Sequence, residues 1–369
     1  MNWAWLYETA SWAGMPFHFW TGVMVVLGAI VGSFLNVCIH RMPHNLSLVH
    51  PGSHCPVCLH AIPLKYNIPL VSWLWLRGRC AFCGTGISVR YWLVEVLTAG
   101  VFAATWLTFG RESWVLPLVY AVFLSGLIVA TFVDFSHFII PDPITLGGIG
   151  TGFLSAFLAP ELFGTDSSVE AARQSLLGAG VGAGVVYGLL RLGKALFGRQ
   201  RLKLPPDSRV VFGEEELLLP GERVSYGELL YRKTDAVVLH AARVEMVDRC
   251  YRNVRVRLTR DTLQIGDESF PTGEVPGFEV VTSEVVAPRE AMGLGDVKFM
   301  AAIGAFLGWK GVFFSLLGSA LVGSLVGVGL IVLRRRAWSS RIPYGPYIAL
   351  AAAVWVFVGP PIWRWWWGE

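Results

Sequence analysis

Long apolar runs separated by shorter polar stretches set the pattern of this chain, and most of them are apolar on every side rather than on one stripe. About 20 mostly apolar residues are enough to cross the hydrocarbon core of a bilayer as a helix. Eight segments are candidates: 17–39, 91–109, 115–133, 143–160, 174–197, 297–310, 311–333 and 343–362, of which 297–310 is short. The expected fold class is an all-α polytopic membrane protein of about eight transmembrane helices. One stretch breaks the pattern. Between 201 and 288 apolar and polar positions alternate, most clearly from Asn253 to Phe270, with turn signals at Gly266-Asp267 and Pro220-Gly221. Period two with such punctuation predicts a small, inserted, soluble β-rich domain. The run from Leu229 to Val247 reads equally as strand or helix.

Composition agrees with a membrane chain. Of 369 residues 54% are hydrophobic, 15% are charged and 16 are Trp, with a mean hydropathy of +0.54, which is far from the profile of a soluble domain. The insert holds 12 basic and 15 acidic residues, net −3, against +7 for the other residues of a chain that carries +4. Charge therefore separates the insert from its host. Residues 1–19 carry no Lys or Arg, so the first apolar run is expected to be a retained span and not a cleaved signal. Basic residues in the short connections set orientation. Arg41, Lys65, Arg77, Arg79, Arg90, Arg199, Arg201, Lys203, Arg334, Arg335, Arg336 and Arg341 fall on one side, against Arg111, Arg173, Lys310 and Arg364 on the other. The first side is expected to be cytoplasmic, with both termini outside. The expected organisation is a first span (1–40), a cytosolic zinc-binding loop (41–90), spans two to five (91–200), the β-rich insert (201–288) and spans six to eight (289–369).

Four of the six cysteines lie in the 41–90 loop, as Cys55-Pro-Val-Cys58 and Cys80-Ala-Phe-Cys83, with 21 residues between the pairs. Two such pairs supply the four thiolates of a closed, structural zinc site, with redox or unliganded cysteines as the alternative. A cytosolic setting argues against disulfides. Cys250 and His240 of the insert stand alone and read as ordinary fold residues.

Glu95, Asp134, Asp142 and Asp296 are acids within or beside the spans, all expected on the cytoplasmic side. An ionisable group there is costly and marks a functional site. Asp134 closes the third span and Asp296, in GLGDVK (Gly293 to Lys298), opens the sixth, 162 positions later at the same expected depth. Two carboxylates sharing a poorly hydrated place cannot both ionise cheaply, so one would serve as acid and the other as base toward a water between them. Gly293 and Gly295 allow a close approach of backbone beside Asp296, while Lys298 biases local charge or simply snorkels. Asp142, before Pro143, reads as a helix N-cap, His137 as an interfacial histidine, and Glu95 as a partner for Arg90 or Arg77 or as a contact for a substrate amine. A proton-coupled transporter would place its carboxylates near the bilayer midplane, and a zinc-bearing adaptor would need no carboxylate pair.

Six ordered motifs carry a resemblance. GSFLNVCIHRMP (Gly32 to Pro43), the two CxxC pairs, RYWLVEVLTAG (Arg90 to Gly100), DFSHFIIPDPIT from Asp134, GLGDVK and RIPYGPYIAL (Arg341 to Leu350) make the chain resemble the type IV prepilin leader peptidases. The resemblance spans nearly everything outside the insert, where those proteins have a short connector. It implies a bacterial inner-membrane aspartic endopeptidase with Asp134 and Asp296 as the catalytic pair. The implied substrates are prepilins and pseudopilins, cut at a short basic leader on the cytoplasmic side. It further implies N-methylation of the new N-terminus with S-adenosylmethionine as donor, although no glycine-rich loop following a strand marks a site for it; a GxGD membrane protease without methyltransferase activity is the alternative. Membrane lipids are expected partners, nucleic acid is not, and the insert is expected to dock pilus or secretion machinery or to gate the site.

Overall fold

A computed structural model describes residues 15–197, 199–213, 216–220, 222–226, 230, 235–275, 277–288, 293–333 and 343–368. The amino-terminal stretch 1–14 and the arginines 334–336 and 341, which entered the topology argument above, lie outside these residues. The chain divides into two compact units, one running to Val186 and resuming at Leu294, the other Tyr187–Gly293.

The first unit is helical. Its elements are α1 (Phe17–Arg41), a short α2 (Val71–Trp75), α3 (Val89–Phe109), α4 (Val115–His137), α5 (Asp142–Leu158), α6 (Ser168–Phe197, continuing into the second unit), α7 (Leu294–Val332) and α8 (Gly345–Trp367). Six of these, α1, α3, α4, α6, α7 and α8, are long and apolar enough to cross a membrane. The chain is thus a multi-pass membrane protein. Two elements depart from the expected spans. α5 has only 17 residues. The segments expected at 297–310 and 311–333 lie in one run of 39 residues, broken at Gly308, whose backbone (φ 69°, ψ −179°) is not helical. No polar loop separates the two halves, so nothing but one glycine interrupts them. A straight helix of that length would reach about 58 Å, roughly twice the hydrocarbon thickness.

Small residues decide how these helices pack. Lipid gives apolar helices no hydrophobic reason to associate, so close approach through glycine supplies van der Waals contact instead. A Cβ on Gly28 would lie 2.8 Å from Ala99 Cα, and one on Gly32 2.8 Å from Glu95 Cα, so the Gly28-Ala-Ile-Val-Gly32 stripe seats α1 directly on α3. On the other side of the unit, Gly148 and Gly152 of α5 press on Ala302 and Ala305 of α7, where added Cβ atoms would come within 3.0 and 2.8 Å. Gly178 and Gly182 of α6 meet the backbone of Gly304 and Met300. Two glycine stripes therefore clamp the first half of α7.

The second unit carries one eight-stranded antiparallel sheet, in the order β3-β2-β1-β8-β4-β5-β6-β7. Its strands are β1 (Arg199–Phe212), β2 (Glu216–Leu219), β3 (Glu222–Ser225), β4 (Ala236–Glu245), β5 (Cys250–Thr259), β6 (Thr262–Ile265), β7 (Glu268–Pro271) and β8 (Phe278–Pro288). The turn expected at Gly266-Asp267 joins β6 to β7, with Gly266 at φ 60°. Residues 236–245 of the ambiguous stretch form a strand; 231–234 lie outside the described residues. Alternate residues of β4 and β5, among them Val237, Leu239, Val256 and Leu258, enter a core in which Phe212 stacks on Phe278 at 4.5 Å.

Candidate active site and metal centre

α4 ends because Phe138 adopts a left-handed conformation (φ 55°) and returns its N–H to Asp134 O. Ile139 and Ile140 carry no regular structure, and Pro141 then caps α5. This puts Asp134 in the last turn of α4, only 6% exposed. Its Oδ2 accepts the backbone N–H of Gly345, the first residue of α8, at 2.9 Å. A Cβ on Gly345 would come within 2.7 Å of that oxygen and 3.3 Å of Ile140 Cδ1. From the other side Gly295 packs on Ile140, with a Cβ position 3.6 Å from Ile140 Cβ. Buried Ile140 is thus held between the starts of α7 and α8.

Asp296 follows Gly295 in the first turn of α7 and lies within Coulombic reach of Asp134. Gly295 and Gly345 both pack on Ile140, so the turn of α7 that carries Asp296 and the start of α8 converge on the end of α4 that carries Asp134. An N-terminal helix turn favours a carboxylate, and Asp296 occupies one. Gly345 was missed by sequence reasoning. Its signal was the Tyr344-Gly-Pro-Tyr347 run, in which a glycine before a proline opens a helix.

Two nearby acids behave differently from expectation. Asp142 does not cap α5: Pro141 holds the N-cap position, and Asp142 Oδ1 instead accepts Lys298 Nζ at 2.7 Å. This ion pair ties the first turn of α5 to that of α7, so Lys298 is not simply snorkelling. Glu95 forms no ion pair with Arg77 or Arg90 among the described residues; its Oε2 accepts the N–H of Leu70 at 2.7 Å. Leu70 has an unusual backbone (φ 65°) just before α2, and the carboxylate anchors it. His137 packs its ring edge-on to His44 at 5.3 Å.

The four loop cysteines form the second centre. Each pair sits in a tight knuckle of the same design: Leu59 N–H bonds Cys55 O and Gly84 N–H bonds Cys80 O, with Leu59 (φ 58°) and Gly84 (φ 71°) both left-handed. All four Sγ atoms lie within 4.8 Å of one another, with Cys55 to Cys83 at 3.8 Å and Cys58 to Cys80 at 4.0 Å. A tetrahedral ion with bonds of about 2.3 Å needs sulfurs about 3.8 Å apart. The cluster could therefore hold a metal ion. Cys250 is exposed in the sheet unit, and neither it nor His240 belongs to such a group among the described residues.

The same parts of the chain match known proteins. Residues 26–109 match the bacterial peptidase A24 N-terminal domain, and residues 269–328 match the type IV leader peptidase family. The chain is 30% identical over 382 aligned residues to the prepilin leader peptidase/N-methyltransferase of Aeromonas hydrophila, covering 95% of each protein. The chain belongs to the type IV leader peptidase family. Other members include the prepilin leader peptidase/N-methyltransferases of Myxococcus xanthus, 45% identical over 43% of this chain and 44% of that one, and of Pseudomonas aeruginosa, 26% identical over 92% and 91%. No solved structure matches the chain. Family membership covers both centres, since the A24 N-terminal match contains all four loop cysteines and the leader peptidase match contains Asp296.

Proposed function

We propose that this protein is a membrane aspartic endopeptidase that removes the short basic leader of prepilins and pseudopilins, with Asp134 and Asp296 as its catalytic pair. The carrying observation is the convergence of Asp134, Asp296 and the Gly345 N–H at three helix ends. One carboxylate takes a proton from a water, whose oxygen attacks the scissile carbonyl carbon. The other, protonated, gives its proton to the carbonyl oxygen, and as the C–N bond breaks the leaving amine takes a proton back. Gly345 and Gly295 let the starts of α8 and α7 close in on the end of α4 beside the carboxylates. The Gly345 N–H orients Asp134 and leaves its second oxygen for water. Replacing either aspartate by Asn and following cleavage of a prepilin in membranes tests the assignment; normal cleavage by either variant refutes it.

The loop is read as a structural zinc site held by Cys55, Cys58, Cys80 and Cys83. A set of four thiolates is soft, closed and free of a water position, which suits that ion. Zinc there would tie together a loop whose Val49, Val57, Leu59 and Leu64 remain exposed. S-adenosylmethionine is read as the methyl donor; when bound it supplies a methyl group on a sulfonium. The mass of the processed pilin N-terminus separates a bifunctional enzyme from a GxGD protease alone.

We assign eight spans, with α5 and the two halves of α7 each crossing, in a bacterial inner membrane with the aspartates facing the cytoplasm. The basic residues of the 41–90 loop support this orientation, and reporter fusions at each connection test it. The 201–288 insert is read as a docking or gating module for pilus or secretion machinery. Its removal should alter substrate choice while cleavage persists.

A further inference from the structure

We infer that one face of the insert's sheet seats on an anionic phospholipid surface; this rests on the cytoplasmic placement of the insert proposed above. The insert as a whole is acidic, with 12 basic and 15 acidic residues between 201 and 288. Its sheet nevertheless gathers positive charge on one side. Val237 and Leu239 of β4 and Val256 and Leu258 of β5 enter the core, so the residues between them point away from it. On β5 these include Arg255 and Arg257, both exposed. Tyr251 and Val254 both pack on the core although two residues separate them. Asn253, at φ 55°, takes up the extra position, and exposed Arg252 joins the outer side.

The ladder sets these cations against others. Arg252 lies opposite Arg243 of β4, and Arg255 opposite His240. Like charges directly opposite on one face, with Cβ atoms about 5 Å apart, destabilise a sheet. Glu245 pairs with Arg243, but no carboxylate pairs with Arg252, Arg255 or Arg257 among the described residues. The neighbouring positions on β6 and β7 are Gln264, opposite Arg257, and Ser269, opposite Gln264. Carboxylates stand at the margins: Glu245 and Glu279 oppose each other at one end of the ladder, and Glu284 of β8 is held by Arg201 at 3.6 Å.

Three uncompensated guanidinium groups spread along about 17 Å of strand match a surface of many anions better than one small anion. Guanidinium forks bind phosphate oxygens in pairs, and the cytoplasmic leaflet is the negatively charged one. Connectivity brings that surface close. α6, apolar enough to cross a membrane, ends at Phe197 and β1 begins at Arg199, while β8 ends at Pro288 and α7 begins at Leu294. Tethers this short give the bilayer a high local concentration over any free partner. The same leaflet repels the acidic remainder of the insert, which selects the arginine face.

Arginine modification by a phenylglyoxal reagent, read by peptide mass, tests the inference on full-length protein in nanodiscs of phosphatidylcholine alone or mixed with phosphatidylglycerol. Arg252, Arg255 and Arg257 are expected to react roughly tenfold more slowly in the mixed discs at low salt, and to recover their rates at high salt. Arg223, paired with Glu216 at the opposite edge of the sheet, is expected to react alike in both. Arg255→Glu combined with Arg257→Glu should return Arg252 to its rate in phosphatidylcholine. Equal rates for wild type in the two discs, or an equal slowing of Arg223, would overturn the inference. Protection in native membranes but not in mixed discs would give the face to a protein partner and overturn it too. Both leaflets of a disc share one composition, so these outcomes do not depend on orientation, which the reporter fusions test separately.

Discussion

The aspartate site and the cysteine loop are built by opposite means within one unit. Beside Asp134, Gly345 and Gly295 close on the carboxylate and on Ile140, and farther along α7 Gly148, Gly152, Gly178 and Gly182 bring α5 and α6 onto Met300, Ala302, Gly304 and Ala305. Position is set there by close packing. In residues 42–88 the only α-helix is the five-residue α2, apolar side chains such as Leu59, Leu64 and Trp75 are 69–87% exposed, and only Cys55 and Ser72 are buried. Sulfur is what gathers that segment. The lesson is that precision in this molecule comes from glycine where lipid surrounds the chain and from thiolates where water does.

The sharpest test of that contrast is chemical. Asn at either Asp134 or Asp296 should lower prepilin cleavage roughly 10² to 10⁴-fold, the range for loss of a general acid or base, with the folded fraction unchanged on size exclusion. Next comes packing. Gly345→Ala places a methyl 2.7 Å from Asp134 Oδ2 and should displace that carboxylate, lowering kcat by roughly tenfold to a hundredfold; cleavage at the normal rate would show that the carboxylate tolerates a shift. In the loop, Cys58→Ser should remove the bound metal, read by atomic emission, and open residues 42–88 to limited proteolysis while the helices keep their unfolding temperature. Acidification should do the same in wild type, because thiolates must be deprotonated to bind: metal content should be highest at neutral pH and decline as pH falls. The smallest effect belongs to the Asp142 and Lys298 pair, both partly exposed. Asp142→Asn should cost less than about 1 kcal/mol, measured by thermal unfolding.

Much of this was legible in the chain. Apolar runs located the helices, because a membrane span must satisfy its backbone internally and so leaves an uninterrupted signature. Paired cysteines and the GLGDVK motif stood out through residue type and spacing, and the four cysteines do gather into a group that could hold a metal ion. What escaped depended on distant partners. Whether Asp142 caps its helix or pairs with a lysine 156 positions away is settled by how α5 meets α7, which no local pattern encodes. Glu95 found a backbone N–H of a strained loop residue, not an arginine, for the same reason. The break at Gly308 was hidden because a glycine inside an apolar run looks like any of its neighbours; only its positive φ marks it. In the insert, alternation revealed strands, yet the pairing of β1 with β8 joins the two ends of the unit and could not be read from adjacent residues.

That last pairing has a consequence for how the insert came to be tolerated. Arg199 faces Pro288 across neighbouring strands, so the sheet's entrance and exit stand about 5 Å apart. A module whose two ends are paired with each other closes on itself. Its host connection need open no wider than a hairpin, and a few residues of linker would close the gap if the module were excised. Lineages could gain or lose such a module without redesigning the helices that flank it.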